Sequence, residues 1–227
     1  MGRADALPLR IAIDDAEQVS ALLLTPPGAQ ACYVLAHGAG AGMAHPFMAN
    51  VAQGLAERSI ATLRYQFPYM EKGSKRPDGP KLAQATVRAA VAEAARRCPG
   101  LPLVAGGKSF GGRMTSQAQA AQPLPGVIGI AFLGFPLHPA GKPSDERAQH
   151  LAEVSVPMLF LQGTRDELAD VDLMRSVTDR LGARATLHWF DDADHSFHVR
   201  ARSGRMDAQV LSQMLDAMGA WIATIPR

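Results

Sequence analysis

The chain has 227 residues, of which 47% are hydrophobic and 19% are charged, and its net charge at neutral pH is +2. This composition is typical of a globular protein that buries a sizeable core, and the small net charge gives no reason to expect binding to nucleic acid or to an anionic membrane. No apolar run approaches the length of a membrane span. The opening sequence MGRADALPLR lacks the apolar segment of a secretory signal, so we expect a cytoplasmic protein.

The two cysteines, Cys32 and Cys98, do not form a disulfide framework, and free thiols are the expected state in a reducing compartment. No pair of cysteine or histidine residues has the spacing that is typical of zinc ligands. We therefore expect the protein to need neither a metal nor a cofactor.

Apolar runs alternate with segments of helical periodicity from one end of the chain to the other. Residues 10–13 and 19–24 predict an opening hairpin, which is followed by the turn signal Pro26-Pro27-Gly28. Further strands are predicted, in chain order, at ACYVLAHG, IATLRY, LPLVAGG, GVIGIAFLGF, VPMLFLQG and ATLHWF. Helices are predicted at residues 47–55, 81–97, 111–121, 171–181 and 210–221.

This alternation predicts an α/β fold with a mostly parallel central sheet. Successive strand–helix–strand units pair their strands in parallel and place helices on both faces of the sheet. Strands that are covered on both faces also account for the unbroken apolar runs. The opening hairpin is expected to form an antiparallel edge. Because the sequence has no internal repeat and no linker between two compositions, we predict one domain over residues 1–227.

The stretch AGGKSFGGRM, residues 105–114, fits two competing motifs. A phosphate-binding loop that ends in GKS needs a glycine at position 102, where Pro102 lacks both an N–H group and the freedom of φ that glycine has. The nucleophile elbow G-x-S-x-G, residues 107–111, needs an apolar strand before it, a helix after it and small residues around the serine. All three conditions are met, so we predict that Ser109 is a nucleophile.

A serine nucleophile needs a histidine base and a carboxylate that orients the base. In a fold with this elbow, the carboxylate and then the histidine follow the serine in the chain, each just past a later strand. Asp166 follows VPMLFLQG and His195 follows ATLHWF. The sequence therefore predicts a catalytic triad of Ser109, Asp166 and His195.

Other residues near these positions are alternatives for the acid and the base. Glu167, Asp170 and Asp172 lie close to Asp166, although Asp170 is better explained as a helix cap. His198 is the alternative to His195 as the base. His188 lies within a predicted strand and is more consistent with a structural role.

A serine that attacks a carbonyl group forms a tetrahedral intermediate with a negatively charged oxygen. Two N–H donors are also required to bind this charge. One donor is normally the residue after the nucleophile, which is Phe110 here. The second is expected in the loop LAHGAGAG after an early strand, where Ala39 is our first choice and Gly40 the second. His37 is expected to brace this loop rather than to transfer protons.

With these motifs, the chain resembles the α/β-hydrolase superfamily over nearly its whole length. More narrowly, it resembles bacterial hydrolases related to dienelactone hydrolases, a branch that includes the hydrolase-like domain of the third subunit of the eukaryotic NSL acetyltransferase complex. The narrower resemblance rests, in chain order, on HGAGAGMAHPFM, RYQFPYMEKGSKRPD, GGKSFGGRM, FLGFPLHPAGKP, LFLQGTRD and DADHSF. The resemblance implies the same triad of Ser109, Asp166 and His195.

One departure from the family limits what the resemblance implies. Dienelactone hydrolases have a cysteine at the elbow where this chain has Ser109, so their substrate is not carried over. We expect a serine hydrolase that acts on a small-molecule ester or thioester; an amide is less expected, because no peptide-binding domain is evident. The alternative is a catalytically silent hydrolase fold that serves as a binding module, although no triad member is missing.

Two connections and two flanking cations are expected to shape the substrate site. Residues 133–155 are too few for a cap domain, so we predict an open site. The loop at residues 67–80 is expected at the catalytic edge of the sheet, with Phe67 and Tyr69 as walls of an acyl pocket and Gly40 as a further substrate contact. Lys108 is expected to contact the substrate as well.

The cations near the predicted site have two explanations. Lys72, Lys75 and Arg76 in the loop at residues 67–80 could attract an anionic substrate, but solvated surface charges explain them more simply. Lys108 and Arg113, which flank Ser109, either favour a substrate that carries a carboxylate or only cover the surface with their stems.

Overall fold

Eight strands form one sheet in the computed structural model of the chain, which describes residues 5–226. The strands are β1 Leu7–Ala12, β2 Gln18–Leu24, β3 Ala31–Ala36, β4 Ile60–Tyr65, β5 Leu103–Lys108, β6 Val127–Leu133, β7 Met158–Gly163 and β8 Ala185–Phe190. Residues 1–4 and 227 lie outside the described residues. They include both ends of the predicted domain 1–227 and the first residues of the opening sequence, in which we expect no secretory signal.

The sheet has the order β1-β2-β4-β3-β5-β6-β7-β8. The pairs β1–β2 and β2–β4 are antiparallel, and all pairs from β4 through β3 to β8 are parallel. The predicted mostly parallel sheet with an antiparallel hairpin at its edge is therefore confirmed. Strand β1 begins three residues before the predicted position and includes Pro8, which an edge strand tolerates.

Within residues 5–226, six α-helices connect or follow these strands. They are α1 Pro46–Ala56, α2 Pro68–Glu71, α3 Pro80–Arg97, α4 Phe110–Ala121, α5 Val171–Leu181 and α6 Asp207–Thr224. Proline stands at the start of α1, α2 and α3, where its fixed φ favours the helix and its missing N–H has no helical partner. Asp170 caps α5 as predicted, because its carboxylate accepts the N–H groups of Asp172 and Leu173.

The helices form two layers on opposite faces of the sheet. Apolar residues of α3, α4 and α5 belong to one buried cluster, and those of α1 and α6 belong to the other. Strands β3, β4 and β7 are buried at every residue, as expected for strands that are covered on both faces. The edge strand β8 alternates between partly buried and exposed residues over most of its length.

The connection between β6 and β7 contains a loop and the 3-10 helix Glu146–Glu153, so no cap domain is inserted there, as predicted. Two further 3-10 turns lie at Gly182–Arg184 and Ala201–Ser203. Among residues 5–226, no helix is both long enough and apolar enough to cross a membrane.

Candidate active site

Ser109 lies on a strained turn between β5 and α4. Its φ of +50° and ψ of −116° are unusual for a residue other than glycine. Gly107 and Gly111 allow the turn to sit against β3, because a Cβ on Gly107 would lie 2.2 Å from the Ala36 carbonyl oxygen and one on Gly111 would lie 2.5 Å from the His37 carbonyl oxygen. The glycines of the G-x-S-x-G motif therefore let the elbow project the serine from the sheet.

Replacing Gly107 by alanine is expected to destabilise the fold. At its φ of +148° a Cβ points at the backbone of β3 rather than out of the sheet, so the strands must separate. We expect a loss of roughly 3 kcal/mol or more in the free energy of unfolding, measured by urea denaturation. Gly79→Ala is the control, because nothing lies within 4 Å of its Cβ position and its φ is −63°; equal midpoints for the two variants would contradict the prediction.

A chain of hydrogen bonds joins the three residues of the predicted triad. His195 Nε2 lies 2.8 Å from Ser109 Oγ, and His195 Nδ1 lies 2.7 Å from Asp166 Oδ2. An ionised carboxylate only accepts hydrogen bonds, so Nδ1 carries the proton and Nε2 is left to accept the proton of the serine hydroxyl. The three side chains come from the ends of β5, β7 and β8, which are parallel and therefore end at the same edge of the sheet.

The carboxylate of Asp166 is held in a fixed orientation. Its side chain is fully buried, its Oδ1 accepts the N–H of Leu168 at 2.8 Å, and its Oδ2 accepts the side-chain amide of Gln162 at 2.5 Å. Gln162 in turn accepts the N–H of Phe135 at 2.9 Å. Sequence analysis missed Gln162, although a polar residue in the otherwise apolar strand VPMLFLQG was the available signal.

The alternatives to Asp166 and His195 have other partners. Asp170 caps α5, while Glu167 and Asp172 are not in the hydrogen-bonded chain. His198 pairs with Asp207 at 2.6 Å, and this hydrogen bond raises its pKa. The exposed ring of His188 packs beside Phe190. Among the described residues, His195 is thus the histidine that contacts Ser109 Oγ.

The predicted oxyanion donors lie beside Ser109. Phe110 is the first residue of α4, so its N–H has no acceptor within the helix. Ala39 lines the same cavity as Ser109. The N–H of Gly40, our second choice, lies 3.4 Å from the hydroxyl of Tyr69, to which it donates. This contact favours Ala39 over Gly40, and both roles stay predictions.

His37 connects the segment after β3 with the segment after β4. Its Nδ1–H donates to the Gly38 carbonyl oxygen at 2.8 Å, and its Nε2 accepts the N–H of Phe67 at 3.1 Å. The side chain is fully buried, and burial lowers its pKa to about 4. A neutral His37 can hold both contacts, whereas a protonated ring cannot accept from Phe67, which agrees with the predicted bracing role.

The burial of neutral His37 predicts a loss of stability in acid. Its pKa lies below the ordinary value of 6.5, so its contribution is fully present above pH 6.5 and is lost as the pH falls towards 4. The difference amounts to roughly 3 kcal/mol at pH 4. Unfolding measured between pH 7 and pH 4 should depend less on pH in His37→Gln than in the wild type, and exposed His188→Gln is the control; identical slopes for all three proteins would contradict this.

A cavity of about 460 Å³ opens in front of Ser109. It is lined by Gly38, Ala39, Ala41, His45, Phe47, Met48, Lys108, Ser109, Leu168, His195 and Ser196. A groove of about 520 Å³ between α1 and α6 contains none of the predicted site residues. The cavity at Ser109 is therefore the candidate substrate site, and its wall is mostly apolar on the side of α1.

The expectation that Phe67 and Tyr69 wall this cavity is wrong. The short helix α2, which begins at Pro68 within the predicted loop, turns both rings into the core, where they are nearly fully buried. The ring of Phe67 packs against His37 and Phe110, at 5.0 and 5.3 Å between centres. These aromatic residues support the active-site segments from behind, and Phe47 and Met48 of α1 line the cavity instead.

Most of the cations that the sequence suggested near the substrate also lie outside the cavity. Lys72 pairs with Glu17 at 2.8 Å, and Lys75 and Arg76 are exposed; none of the three lines the cavity. Arg113 does not line the cavity either. Gly40 is exposed and outside the lining residues, so Lys108 is the predicted substrate contact, besides Ser109, His195 and Ala39, that reaches the cavity.

Comparison with known proteins agrees with this architecture. The model of the family described as "Alpha/beta hydrolase domain" matches residues 29–223. A dienelactone hydrolase from Anabaena variabilis is 19% identical, with all of both chains covered and a TM-score of 0.76. A serine hydrolase without a lid from Xanthomonas campestris is 20% identical, with 98% of this chain and 96% of that chain covered and a TM-score of 0.73.

The esterase domain of a Rhodothermus marinus protein is 15% identical, with 96% of this chain and 97% of that chain covered and a TM-score of 0.71. At these identities the solved structures establish the shared fold. The family match covers most of the chain, including the elbow and the segments that hold Asp166 and His195. The chain therefore belongs to the α/β-hydrolase domain family.

Proposed function

We propose that this protein is a serine hydrolase that cleaves a small ester or thioester by acyl transfer. The observation that carries the proposal is the hydrogen-bonded chain from Ser109 through His195 to the buried carboxylate of Asp166. A serine hydroxyl is a weak nucleophile at neutral pH, and this arrangement supplies the base and the orienting acid that activate it. The similar solved structures include a dienelactone hydrolase, a serine hydrolase and an esterase domain. These names describe hydrolysis, which supports the type of reaction that we propose.

The reaction proceeds in two halves. Ser109 Oγ attacks the carbonyl carbon while its proton passes to His195 Nε2, and the N–H groups of Phe110 and Ala39 bind the oxyanion. Collapse of the intermediate releases the alcohol or thiol, which takes the proton from His195. Water then attacks the acyl-enzyme and gives a proton to His195, and this proton passes to Ser109 Oγ as the second intermediate collapses and the carboxylic acid leaves. Asp166 stabilises the imidazolium in both halves.

The cavity favours a substrate of modest size. At about 460 Å³ it has room for a short acyl chain or a single ring, and Phe47, Met48 and Leu168 give that group an apolar wall. Because no cap covers the elbow, the other half of the ester can extend into solvent. We therefore propose esters with a compact apolar acyl group, rather than long lipids.

Labelling with a fluorophosphonate probe tests the proposal. The probe reacts with a serine only when a neighbouring base activates it, so we expect one adduct, which peptide mass mapping places on Ser109. Hydrolysis of p-nitrophenyl esters from acetate to decanoate should then be fastest for the shorter chains. A well-folded wild-type protein that neither reacts with the probe nor hydrolyses any ester of the series would instead favour the silent binding module.

A further inference from the structure

The side chain of Lys108 lies between the segments that build the candidate active site. Lys108 is the last residue of β5, directly before Ser109. Its stem packs against the segment after β3, where a Cβ on Gly38 would lie 3.4 Å from Lys108 Cγ. Its ammonium group donates a hydrogen bond to the carbonyl oxygen of His195 and lies 5.6 Å from the centre of the Phe197 ring. This lysine therefore connects the nucleophile elbow with the segment that carries the histidine.

The ammonium group and the imidazole ring both lie beside Gly134. A Cβ on Gly134, the residue after β6, would be 3.1 Å from Lys108 Nζ and 3.5 Å from both Cε1 and Nδ1 of His195. A side chain at Gly134 would press on both the lysine and the histidine. The ammonium group thus contacts the backbone of His195 and shares the space beside Gly134 with its ring.

The histidine segment needs such support because its backbone is strained. Asp192 and Phe197, on either side of His195, have φ values of +59° and +62°, which are unfavourable for residues other than glycine. Lys108 contributes a charge-assisted hydrogen bond and a cation–π contact to this segment, and both contacts fix its position.

We propose that Lys108 is a positioning residue whose ammonium group holds the His195 segment against the nucleophile elbow and so keeps the imidazole aligned with Ser109. The inference rests on the proposed function, since this alignment matters for catalysis only if Ser109 and His195 act as nucleophile and base. Lys108 does not take part in proton transfer in this scheme. Its hydrogen bond goes to a backbone carbonyl, and its effect on the reaction passes through His195.

The protonation state of Lys108 gives the proposal a distinctive pH dependence. Burial lowers its pKa to about 8, although the carboxylates of Asp166 and Asp194 oppose this effect. These two carboxylates and the His195 ring are the titratable groups that face it, while the segments after β3 and β6 bring Gly38 and Gly134 against it. Above pH 8 the amine is neutral, so it is a weaker hydrogen-bond donor and makes no cation–π contact with the Phe197 ring. Turnover should therefore decline as the pH rises through about 8.

Stability should respond differently from turnover. The pKa of Lys108 is lowered on folding, so its burial costs stability while the group is charged, and the cost is relieved as the pH rises from about 8 towards its ordinary value of 10.5. Removing the charge should therefore not weaken the fold at neutral pH. A loss of turnover without a loss of stability would therefore distinguish a positioning role from a purely structural one.

The test compares Lys108→Met and Lys108→Arg with the wild type and with Lys81→Met, which replaces an exposed lysine on α3. We expect Lys108→Met to lower kcat by about 10- to 100-fold with little change in KM, because misalignment affects the chemical step. Lys108→Arg, with a permanent charge, should retain more activity than Lys108→Met. The decline near pH 8 should disappear in both variants and persist in Lys81→Met.

Two results would overturn the proposal: turnover of Lys108→Met within about twofold of wild type, or an unchanged decline near pH 8 in both Lys108 variants. Absence of ester turnover in the wild type contradicts the proposed function instead. The proton NMR resonance of His195 Nδ1–H, which the hydrogen bond to Asp166 protects from exchange with water, then provides the test. Its loss in Lys108→Met supports the alignment role, and its retention overturns it.

Discussion

Replacing Ser109 by alanine is expected to lower kcat/KM for ester hydrolysis by about 10,000-fold or more, because no other group can form the acyl-enzyme. The change removes one oxygen, whose hydrogen-bond partner is His195 Nε2. Alanine and serine tolerate the φ of +50° at this position about equally, so the strain of the elbow is unchanged. The melting temperature should shift by no more than about 2 °C.

A second serine–histidine pair provides a matched control for this variant. Ser116 in α4 lies 2.8 Å from His150 Nε2, but it is buried and does not line the cavity. Ser116→Ala should therefore keep both turnover and labelling by the fluorophosphonate probe. If Ser109→Ala retained the activity of the wild type, or if both variants lost it equally, Ser109 would not be the nucleophile.

The second large effect is expected for Asp166→Asn, which should lower kcat by about 1,000- to 10,000-fold. An asparagine amide that donates to Nδ1 of His195 would move the imidazole proton to Nε2, which then cannot accept the proton of Ser109. The amide also has one acceptor oxygen where the carboxylate has two. Gln162, Leu168 and His195 all donate to this carboxylate, so at least one buried donor loses its partner.

The loss of a buried hydrogen bond should also lower the free energy of unfolding by roughly 1–3 kcal/mol. Kinetics and urea denaturation of the purified variant measure the two effects separately. Asp170→Asn is the control, since asparagine caps a helix about as well as aspartate and Asp170 does not contact His195. Equal activity losses in the two variants would contradict the assignment of the acid to Asp166.

Local sequence patterns were sufficient to predict the fold and the order in which the triad residues follow one another along the chain. The predicted strands IATLRY and ATLHWF coincide with β4 and β8, because β-branched and aromatic runs between turn residues have few alternatives to a strand. The elbow could be predicted from its G-x-S-x-G motif together with the strand before it and the helix after it. The positions of Asp166 and His195 follow from one topological rule: the ends of parallel strands meet at one edge of the sheet.

Side-chain directions in the connections were beyond the reach of the sequence. Phe67 and Tyr69 follow β4, as two wall residues of the cavity would, yet α2 turns them into the core. Gln162 is a polar residue in an apolar strand, and nothing in its neighbours along the chain indicates that it contacts Asp166. Such contacts depend on which segments pack together, and not on local preference.

The sequence by itself determined an α/β fold with a mostly parallel sheet and pointed to a serine, an aspartate and a histidine in the right order, because hydrophobic periodicity, turn residues and short motifs are local features of the chain. The tertiary structure alone decided that α1 contributes Phe47 and Met48 to the wall of the cavity and that Lys108 contacts His195, 87 positions further along the chain. These contacts join segments that are distant in sequence. Their geometry exists only once the sheet has brought the strand ends together.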